Sequence, residues 1–406
     1  MREKLKWDHA DKLYRAAVFL GIIVLALNLR PAITSVGPLI GIIRDDIGLS
    51  NWSAGMLTSL PLIAFAVMSP IVPWLRHRLS NEWAMLVGLF LLSGGIGIRS
   101  MPLAWLLFAG TLLIGFGIAV LNVLIPSVIK EKFPLRVGLM TSIYSTAMGV
   151  LAALASGLSV PIASNLHLGW EAALFVWILP AVVGVGIWVY LALKRDKNNS
   201  VAIAGHHSQA NAGNQQIMRS PLAWQVALFM GMQSMLFYVS IAWLPEILLD
   251  YGVSKATAGW MLSFTQFIGL PASFLVPVIA EKSSSQRRIV FVLTICAIGG
   301  YSGLLLGSSY TTMVVSVIFI GISLAGNFAL ALTFLSMRAR NAKQAAELSG
   351  MAQSLGYILA AVGPILIGYM FDFTEAWTVP LLTIMGVSLL VLFFGIGAGR
   401  NKHVLD

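Results

Sequence analysis

The chain has 406 residues, of which 58% are hydrophobic and only 10% are charged. Its mean hydropathy is +0.86, and soluble domains carry roughly 25% charged residues, so the composition excludes a soluble globular protein. Long continuous apolar runs indicate membrane-spanning helices, because the strands of a barrel would show short alternating segments. We therefore expect an all-α membrane protein.

Twelve apolar segments are long enough to serve as transmembrane helices. They cover residues 16–43, 53–75, 83–99, 103–129, 136–163, 170–193, 221–249, 256–280, 288–307, 310–336, 344–371 and 376–399. The first segment is too long to be the hydrophobic region of a cleaved signal peptide, so we interpret it as a retained helix. The expected fold is a bundle of twelve transmembrane helices.

The basic residues are concentrated in alternate loops. Of the 26 lysines and arginines, 22 lie on the side that carries the N-terminus, Arg44, Arg99 and Lys255 lie on the opposite side, and Arg30 lies within a span. This positive-inside bias predicts a cell membrane protein with both termini in the cytoplasm and an even number of spans. The net charge of +10 therefore reflects topology, and it implies no nucleic-acid partner.

One long hydrophilic interruption divides the chain into two halves. We expect an N-terminal six-helix bundle over residues 1–194, a cytoplasmic linker over 195–219 and a C-terminal six-helix bundle over 220–406. His206 and His207 could form a metal-binding tract, but a polar linker is the preferred interpretation. We expect neither a metal ion nor a cofactor.

The two halves also resemble each other in sequence. Residues 48–55 match residues 252–259 at an offset of 204, and the same offset pairs Pro73 with Pro277. Two six-helix repeats with a substrate site between them are a known plan for transporters. The repeat therefore predicts a binding site where the two halves meet.

Two stretches of the chain carry a resemblance to a known family. The first span contains Leu27-Asn28-Leu29-Arg30-Pro31-Ala32 and Ser35-Val36-Gly37-Pro38, and the seventh contains Gln233-Ser234, Phe237-Tyr238 and Trp243-Leu244-Pro245-Glu246. With these motifs the chain resembles the major facilitator superfamily, and more narrowly its cyanate and 2-nitroimidazole transporters. The resemblance implies a twelve-helix transporter with a central substrate path.

One loop departs from the superfamily pattern. The segment after the second span normally carries an Asp-Arg pair, whereas this chain has only Trp74-Leu75-Arg76-His77-Arg78. Because the acidic partner is missing, we do not expect the salt bridge that this motif usually forms.

Arg30 is the strongest single signal in the sequence. It lies about 22 Å along the first helix from Arg15, where a charge costs at least about 2.5–3.5 kcal/mol and usually faces a bundle interior or an aqueous cavity. Pro31 leaves a carbonyl near Leu27 without its usual donor, which predicts a local opening of the helix. We expect Arg30 to bind substrate; the alternative is a guanidinium that locks the helix to neighbouring carbonyls.

No carboxylate falls in the middle of a span to neutralise Arg30. An anionic or strongly dipolar substrate would relieve the cost of that unpaired charge. Glu246 is the deepest acidic residue and the only candidate for coupling, although a rim residue after Pro245 is an equally good interpretation. None of the six histidines lies in a span, so uniport, anion exchange and proton symport all stay open.

Several further residues inside the spans are candidates for substrate binding. They are Asn28, Asn122, Tyr144, Gln233, Phe237, Tyr238, Gln266, Asn327, Gln353 and Tyr357. Most lie in spans that, by the resemblance, line the central path, but each amide could equally form a hydrogen bond between helices. The 204-residue offset makes the uncharged Ser234 the counterpart of Arg30. The site would therefore carry a single positive charge, which suits a monovalent ligand.

The chain offers no feature of an enzyme. The spans contain no paired carboxylates, no nucleophile with a base and no His/Cys/Asp cluster, and Cys296 is the only cysteine. The preferred function is alternating-access transport of a small monoanion or nitro-heterocycle, such as cyanate or 2-nitroimidazole, held by Arg30. The alternative is a broader exporter of drugs or metabolites. The expected partners are this small molecule and the lipid bilayer, with the chain a monomer.

Overall fold

The computed structural model describes residues 9–49, 51–199, 216–307 and 309–405, and these residues form helices and no strand. Eleven helical segments are long and apolar enough to cross a membrane. The second span, whose apolar part is Ser59–Met68, makes the twelfth. The expected all-α fold of twelve transmembrane helices is confirmed.

The first half contains six spans built from ten α-helices. They are α1 (His9–Asn28), α2 (Pro31–Thr34), α3 (Val36–Ile47), α4 (Asn51–Met68), α5 (Val72–Arg78), α6 (Asn81–Arg99), α7 (Ala104–Lys132), α8 (Val137–Val160), α9 (Gly169–Phe175) and α10 (Ile178–Asn199), with a π-helical turn at Pro161–Asn165. Helix α10 extends five residues past the predicted end of the first bundle. The rest of the predicted linker, from 200 to 215, including His206 and His207, lies outside the described residues.

The second half contains six continuous spans. They are α11 (Pro221–Asp250), α12 (Lys255–Lys282), α13 (Arg287–Leu306), α14 (Tyr310–Met337), α15 (Ala342–Thr374) and α16 (Thr378–Ala398). The prolines inside α11, α12 and α15 do not end these helices, which fits membrane spans, where neighbouring groups satisfy the backbone that proline frees.

Equivalent glycines end the first span of each half. Gly48 has a φ angle of 72° and Gly252 a φ angle of 85°, a left-handed conformation that costs an ordinary L-residue roughly 1–2 kcal/mol. Both glycines lie in the segments that match at the 204-residue offset. The local conformation therefore repeats along with the sequence.

The two halves are joined by a row of hydrogen bonds, which we call the seam. On the side of the bundle that carries the chain termini, the donors and acceptors are Ser127 to Ala342 O, Ser336 to Pro126 O, Ser142 to Phe274 O, Ser145 to Ser273 O, Ser354 to Ala66 O, Gln353 to Asn122 O, and Leu139 N to Glu281. The halves are thus closed together on the termini side.

A polar network lies at the termini side near the loop that departs from the superfamily pattern. The Nε atom of Arg76 donates to Asn81 at 2.8 Å, and Asn81 donates to Glu131 at 2.6 Å. Across the seam, the buried Glu347 of α15 interacts electrostatically with Arg76 and with Lys343. The second half therefore supplies an acidic neighbour that the loop itself lacks.

Arg338, just beyond the tenth span, ties the end of the chain to the second half. Its Nε atom donates to the Ala398 carbonyl at 2.8 Å, its guanidinium donates to Gln286, and its own carbonyl accepts from Val404 N at 2.9 Å. Burial lowers the pKa of Arg338 to about 10, so the side chain is still charged at neutral pH.

Candidate functional site

A cavity lies between the two halves, and we call it the central cavity. The first half contributes Arg30, Ser145, Met148, Gly149 and Ala152. The second half contributes Phe237, Ser240, Ile241, Leu262, Thr265, Gln266, Leu270, Ser273, Gly321, Leu324, Ala325 and Phe328. No carboxylate is among these described lining residues, and Arg30 is the one charged group of the set. The cavity is therefore electropositive and mostly apolar.

A break in the first span exposes Arg30 to this cavity. Helix α1 ends at Asn28 and α2 begins at Pro31, so Leu29 and Arg30 form a turn between them. Leu29 N donates to the Ala26 carbonyl at 3.2 Å, three residues back in the chain instead of the four of an α-helix. Pro31 has no N–H to donate to the preceding turn, so the regular α-helical bonding is interrupted here. The local opening predicted from Pro31 is thus present in the structure.

The guanidinium of Arg30 lies between two aromatic rings. Its Cζ atom is 4.9 Å from the ring centroid of Phe237 and 5.0 Å from that of Phe328, within the range of cation–π attraction. Both rings belong to the second half, so the contact crosses between the halves. Among the described residues none accepts a hydrogen bond from this guanidinium, so its N–H donors remain available to a ligand.

Two tyrosines lie near this group. Tyr238 and Tyr357 are within electrostatic range of Arg30, and the Phe65 ring packs on Tyr357 at a centroid distance of 4.6 Å. Within the described part of the chain the two hydroxyls make no hydrogen bond, so they are free to donate to an anion beside Arg30. Tyr144 is near Tyr357.

Over residues 18–361 the sequence matches the Major Facilitator Superfamily. The chain belongs to this superfamily. It is a transporter and a multi-pass membrane protein, not an enzyme, and the resemblance carried by the first and seventh spans is confirmed.

Three curated relatives match this transporter over nearly its whole length. It is 46% identical over 398 residues to an uncharacterized transporter, YycB, of Bacillus subtilis (strain 168), covering 98% of this chain and 97% of the relative. It is 39% identical over 391 residues to a 2-nitroimidazole transporter of Escherichia coli (strain K12), covering 96% and 97%. It is 25% identical over 385 residues to the cyanate transport protein CynX of the same organism, covering 93% and 97%.

Solved structures show the same fold at low sequence identity. The proton:xylose symporter XylE, bound to 6-bromo-6-deoxy-D-glucose, superimposes with a TM-score of 0.76 at 13% identity. The match covers 97% of this transporter and 98% of that chain. At this identity the likeness concerns the fold alone.

Of the residues proposed from the sequence of this transporter, Arg30, Phe237 and Gln266 line the central cavity. Tyr238 lies near Arg30, and Tyr144 lies near Tyr357. The other amides are engaged elsewhere. Asn28 donates to the carbonyls of Val24 and Pro180, and Gln233 donates to the Met230 carbonyl and to the Ser234 hydroxyl. Asn327 donates to the Ser323 hydroxyl. Gln353 donates to the Ser349 hydroxyl and to the carbonyl of the half-buried Asn122. These amides join helices or turns, and a role for them in substrate binding stays a prediction.

The residue that faces Arg30 from the seventh span is Phe237 rather than Ser234. Ser234 is buried and accepts a hydrogen bond from Gln233 at 2.8 Å. Helix α11 is continuous from Pro221 to Asp250, whereas the first span is broken beside Arg30. The equivalence of Arg30 and Ser234 in the two repeats stays a prediction.

Arg99 is a second enclosed cation that the sequence did not reveal. Its position at the end of the third span suggests an aqueous loop, but its side chain is only 1% exposed. The Nη1 atom donates to the Ala32 carbonyl in α2, while Nε and Nη2 have no hydrogen-bond partner among the described residues. Arg99 therefore holds the short helix that follows Arg30, and packing from neighbouring helices explains its burial.

The carboxylates lie away from the cavity. Glu246 is exposed near the end of α11 and does not line the cavity. Its place in the sequence makes it the deepest acidic residue, yet Glu82 and Glu347 are more enclosed, at 2% and 3% exposed. Both lie on the termini side, where neighbouring helices cover the helix ends. The depth of a residue within an apolar segment does not reveal this packing, so the sequence did not predict their burial.

We expect Phe328→Leu to weaken substrate binding without unfolding the transporter. The substitution keeps an apolar side chain but removes one of the two aromatic faces on Arg30. A cation–π contact contributes about 0.5–2 kcal/mol depending on desolvation, so the dissociation constant should rise about twofold to thirtyfold. Titration of the purified protein measures this change, and Phe319→Leu, at an exposed ring of the same helix, is the control.

Proposed function

We propose that this transporter moves a small monoanion or a nitro-heterocycle by alternating access, and that Arg30 holds the substrate. We further propose that it acts in the cell membrane with both termini in the cytoplasm, as the 22-to-3 distribution of basic residues indicates. The single observation that carries the proposal is the Arg30 guanidinium, held close to two aromatic rings in the central cavity and without a hydrogen bond to any described residue.

The geometry favours an anion for a physical reason. The rings of Phe237 and Phe328 contact the guanidinium without accepting hydrogen bonds from it. Its paired N–H groups suit a carboxylate, cyanate or nitro group. Among the described residues no acidic side chain lines the cavity to compete for these donors. A ligand of the opposite charge would offset the desolvation cost of the half-buried guanidinium.

The names of relatives agree with a substrate of this kind. A 2-nitroimidazole transporter is 39% identical and a cyanate transport protein is 25% identical over most of the chain. Their ligands differ in size and shape but share an electron-rich group that a guanidinium can bind. Cyanate and 2-nitroimidazole are therefore the first substrates to test.

The test is uptake and efflux of each compound by proteoliposomes that contain the purified transporter. Transport of at least one of them, lost in Arg30→Ala, supports the proposal. Binding and transport of neutral or cationic compounds alone, unaffected by Arg30→Ala, would instead favour the broader exporter. The direction in which a pH gradient accelerates transport would separate symport from exchange.

We expect Glu246→Gln to leave transport largely intact. Glu246 is exposed and lies outside the lining of the central cavity, so removing its charge should not change substrate binding. The measurement is the initial transport rate of the variant at several pH values. A variant that keeps its rate at one pH but loses the pH dependence of the wild type would make Glu246 the coupling acid and contradict this expectation.

A further inference from the structure

Seventeen described residues line the central cavity, and most of them are apolar. Beside the two phenylalanines, the apolar part of the wall is formed chiefly by Met148, Ile241, Leu262, Leu270 and Leu324. An ion held by Arg30 alone would leave this wall in contact with water, whereas an apolar body would bury it favourably.

Most hydroxyls of the cavity are already engaged. Ser145 donates to the Ser273 carbonyl at 3.3 Å, Thr265 donates to the Met261 carbonyl at 2.8 Å, and Ser240 pairs with the hydroxyl of Tyr301 at 2.7 Å. These hydroxyls already form hydrogen bonds within the protein. They are therefore poorly placed to discriminate between ligands.

Gln266 differs from these groups. It is the one amide among the described lining residues, and no described residue forms a hydrogen bond with it. It lies one helical turn from Leu262 and from Leu270, so the three side chains share one face of α12. Its free amide can both donate and accept, and it belongs to the half that does not contain Arg30.

From this arrangement we infer that the central cavity selects an organic monoanion with a ring-sized apolar body and a second hydrogen-bonding group remote from the anionic one, and that Gln266 binds this second group. The inference rests on the proposed role of Arg30 as the anion anchor. A ligand of this form contacts both halves at once, through Arg30 in the first and Gln266 in the second. Gln266 then determines specificity, while Arg30 supplies the attraction common to all anions.

The experiment compares four probes on the purified full-length transporter: 4-hydroxybenzoate, benzoate, acetate and cyanate. We expect benzoate to bind more than about tenfold tighter than acetate or cyanate, because only its ring fills the apolar wall. We expect 4-hydroxybenzoate to bind about twofold to tenfold tighter than benzoate, the range of one net hydrogen bond. Isothermal titration gives the dissociation constants.

The variant Gln266→Leu tests the second contact. It should bind benzoate within about twofold of the wild type and lose the preference for 4-hydroxybenzoate, as expected for the loss of one hydrogen bond. Thr294→Val, which removes a hydroxyl that is engaged with the Val290 carbonyl outside the cavity lining, should keep that preference. A purely structural role of Gln266 would weaken both ligands equally and leave their ratio unchanged.

Each other outcome has a definite meaning. Cyanate or acetate binding as tightly as benzoate, or no binding of any probe, would overturn the inference. An unchanged ratio of the two benzoates in Gln266→Leu would overturn the role of Gln266. If benzoate still binds to Arg30→Ala, Arg30 is not the anion-binding residue and the proposed function is wrong. If Arg30→Ala loses benzoate binding but the wild type binds benzoate little better than acetate, the role of Arg30 is supported and only the substrate class is rejected.

Discussion

Replacing Arg30 with alanine is expected to abolish transport while the protein still folds and reaches the membrane. The guanidinium is the one charged group among the described residues that line the central cavity. Hydrogen bonds to a charged group contribute about 1.5–3 kcal/mol each, so losing two of them should weaken binding at least about a hundredfold. Initial rates of uptake of labelled cyanate, 2-nitroimidazole and benzoate into proteoliposomes measure the loss.

The lysine variant at position 30 is expected to fail as well. An ammonium group keeps the charge but has no planar edge of paired donors, and it cannot stack between Phe237 and Phe328 as a guanidinium does. Both variants should stay folded, because the Arg30 side chain makes no hydrogen bond with the described residues and its removal forfeits only two cation–π contacts. The melting temperature checks this point.

Arg288→Ala is the matched control, because this arginine is exposed at the start of α13 and lies outside the lining of the cavity. It should transport at the wild-type rate. Full transport by Arg30→Ala at normal expression would show that the substrate is held elsewhere. An unfolded Arg30→Ala protein would show instead that the guanidinium is structural, which was the alternative left open by the sequence.

The features predicted well from the sequence are those set by local physics. The length of an apolar run determines whether a helix can cross the bilayer, so the twelve spans could be placed from residue types alone. The break beside Arg30 follows from Pro31, whose missing N–H acts on its own helix. The depth of Arg30 in the first span likewise follows from counting residues along one helix.

The features that were missed depend on packing between helices. An amide within a span can face a cavity or bond a neighbour, and nothing in the local sequence separates Gln266, which lines the cavity, from Gln353, which bonds the Asn122 carbonyl. Phe328 resembles any other aromatic residue of a span until its ring is seen on Arg30. Arg99 sits where a loop was expected, and only the tertiary fold reveals its burial.

A larger side chain at Gly350 is expected to stop transport by a different route, through the seam. Gly350 lies in α15, and a Cβ atom built on it would lie 2.8 Å from the Ser69 carbonyl and 2.9 Å from Cγ of Pro73 in the first half. One turn further along α15, Ser354 donates to the Ala66 carbonyl at 2.9 Å. The two helices are therefore in close contact along this part of the seam, with no room for a branched side chain.

In Gly350→Val the halves must separate on the termini side or the backbone must shift. Overpacking of this kind costs about 1–3 kcal/mol, which changes the ratio of closed to open conformations about fivefold to more than a hundredfold. Under the proposed alternating-access mechanism the transporter must close this side in every cycle. We therefore expect transport to fall to a small fraction of the wild-type rate.

Two measurements on Gly350→Val separate a displaced equilibrium from a misfolded protein. The melting temperature should stay close to that of the wild type, because each half keeps its own core. Ser336→Cys is introduced together with Cys296→Ser, so that the protein carries a single thiol. This thiol should react faster with a maleimide when Gly350→Val is also present. Ser336 donates across the seam to the Pro126 carbonyl at 3.1 Å, so its accessibility reports the separation of the halves.

Gly386→Val is the control for this prediction, because a Cβ atom at Gly386 of α16 would meet no other atom within 4 Å. This variant carries the same valine in a transmembrane helix but cannot disturb the seam, so it should transport normally and leave the Ser336→Cys thiol protected. Normal transport by Gly350→Val, with the thiol still protected, would mean that the helices absorb the added volume. The close approach at Gly350 would then be a matter of packing and not part of the conformational cycle.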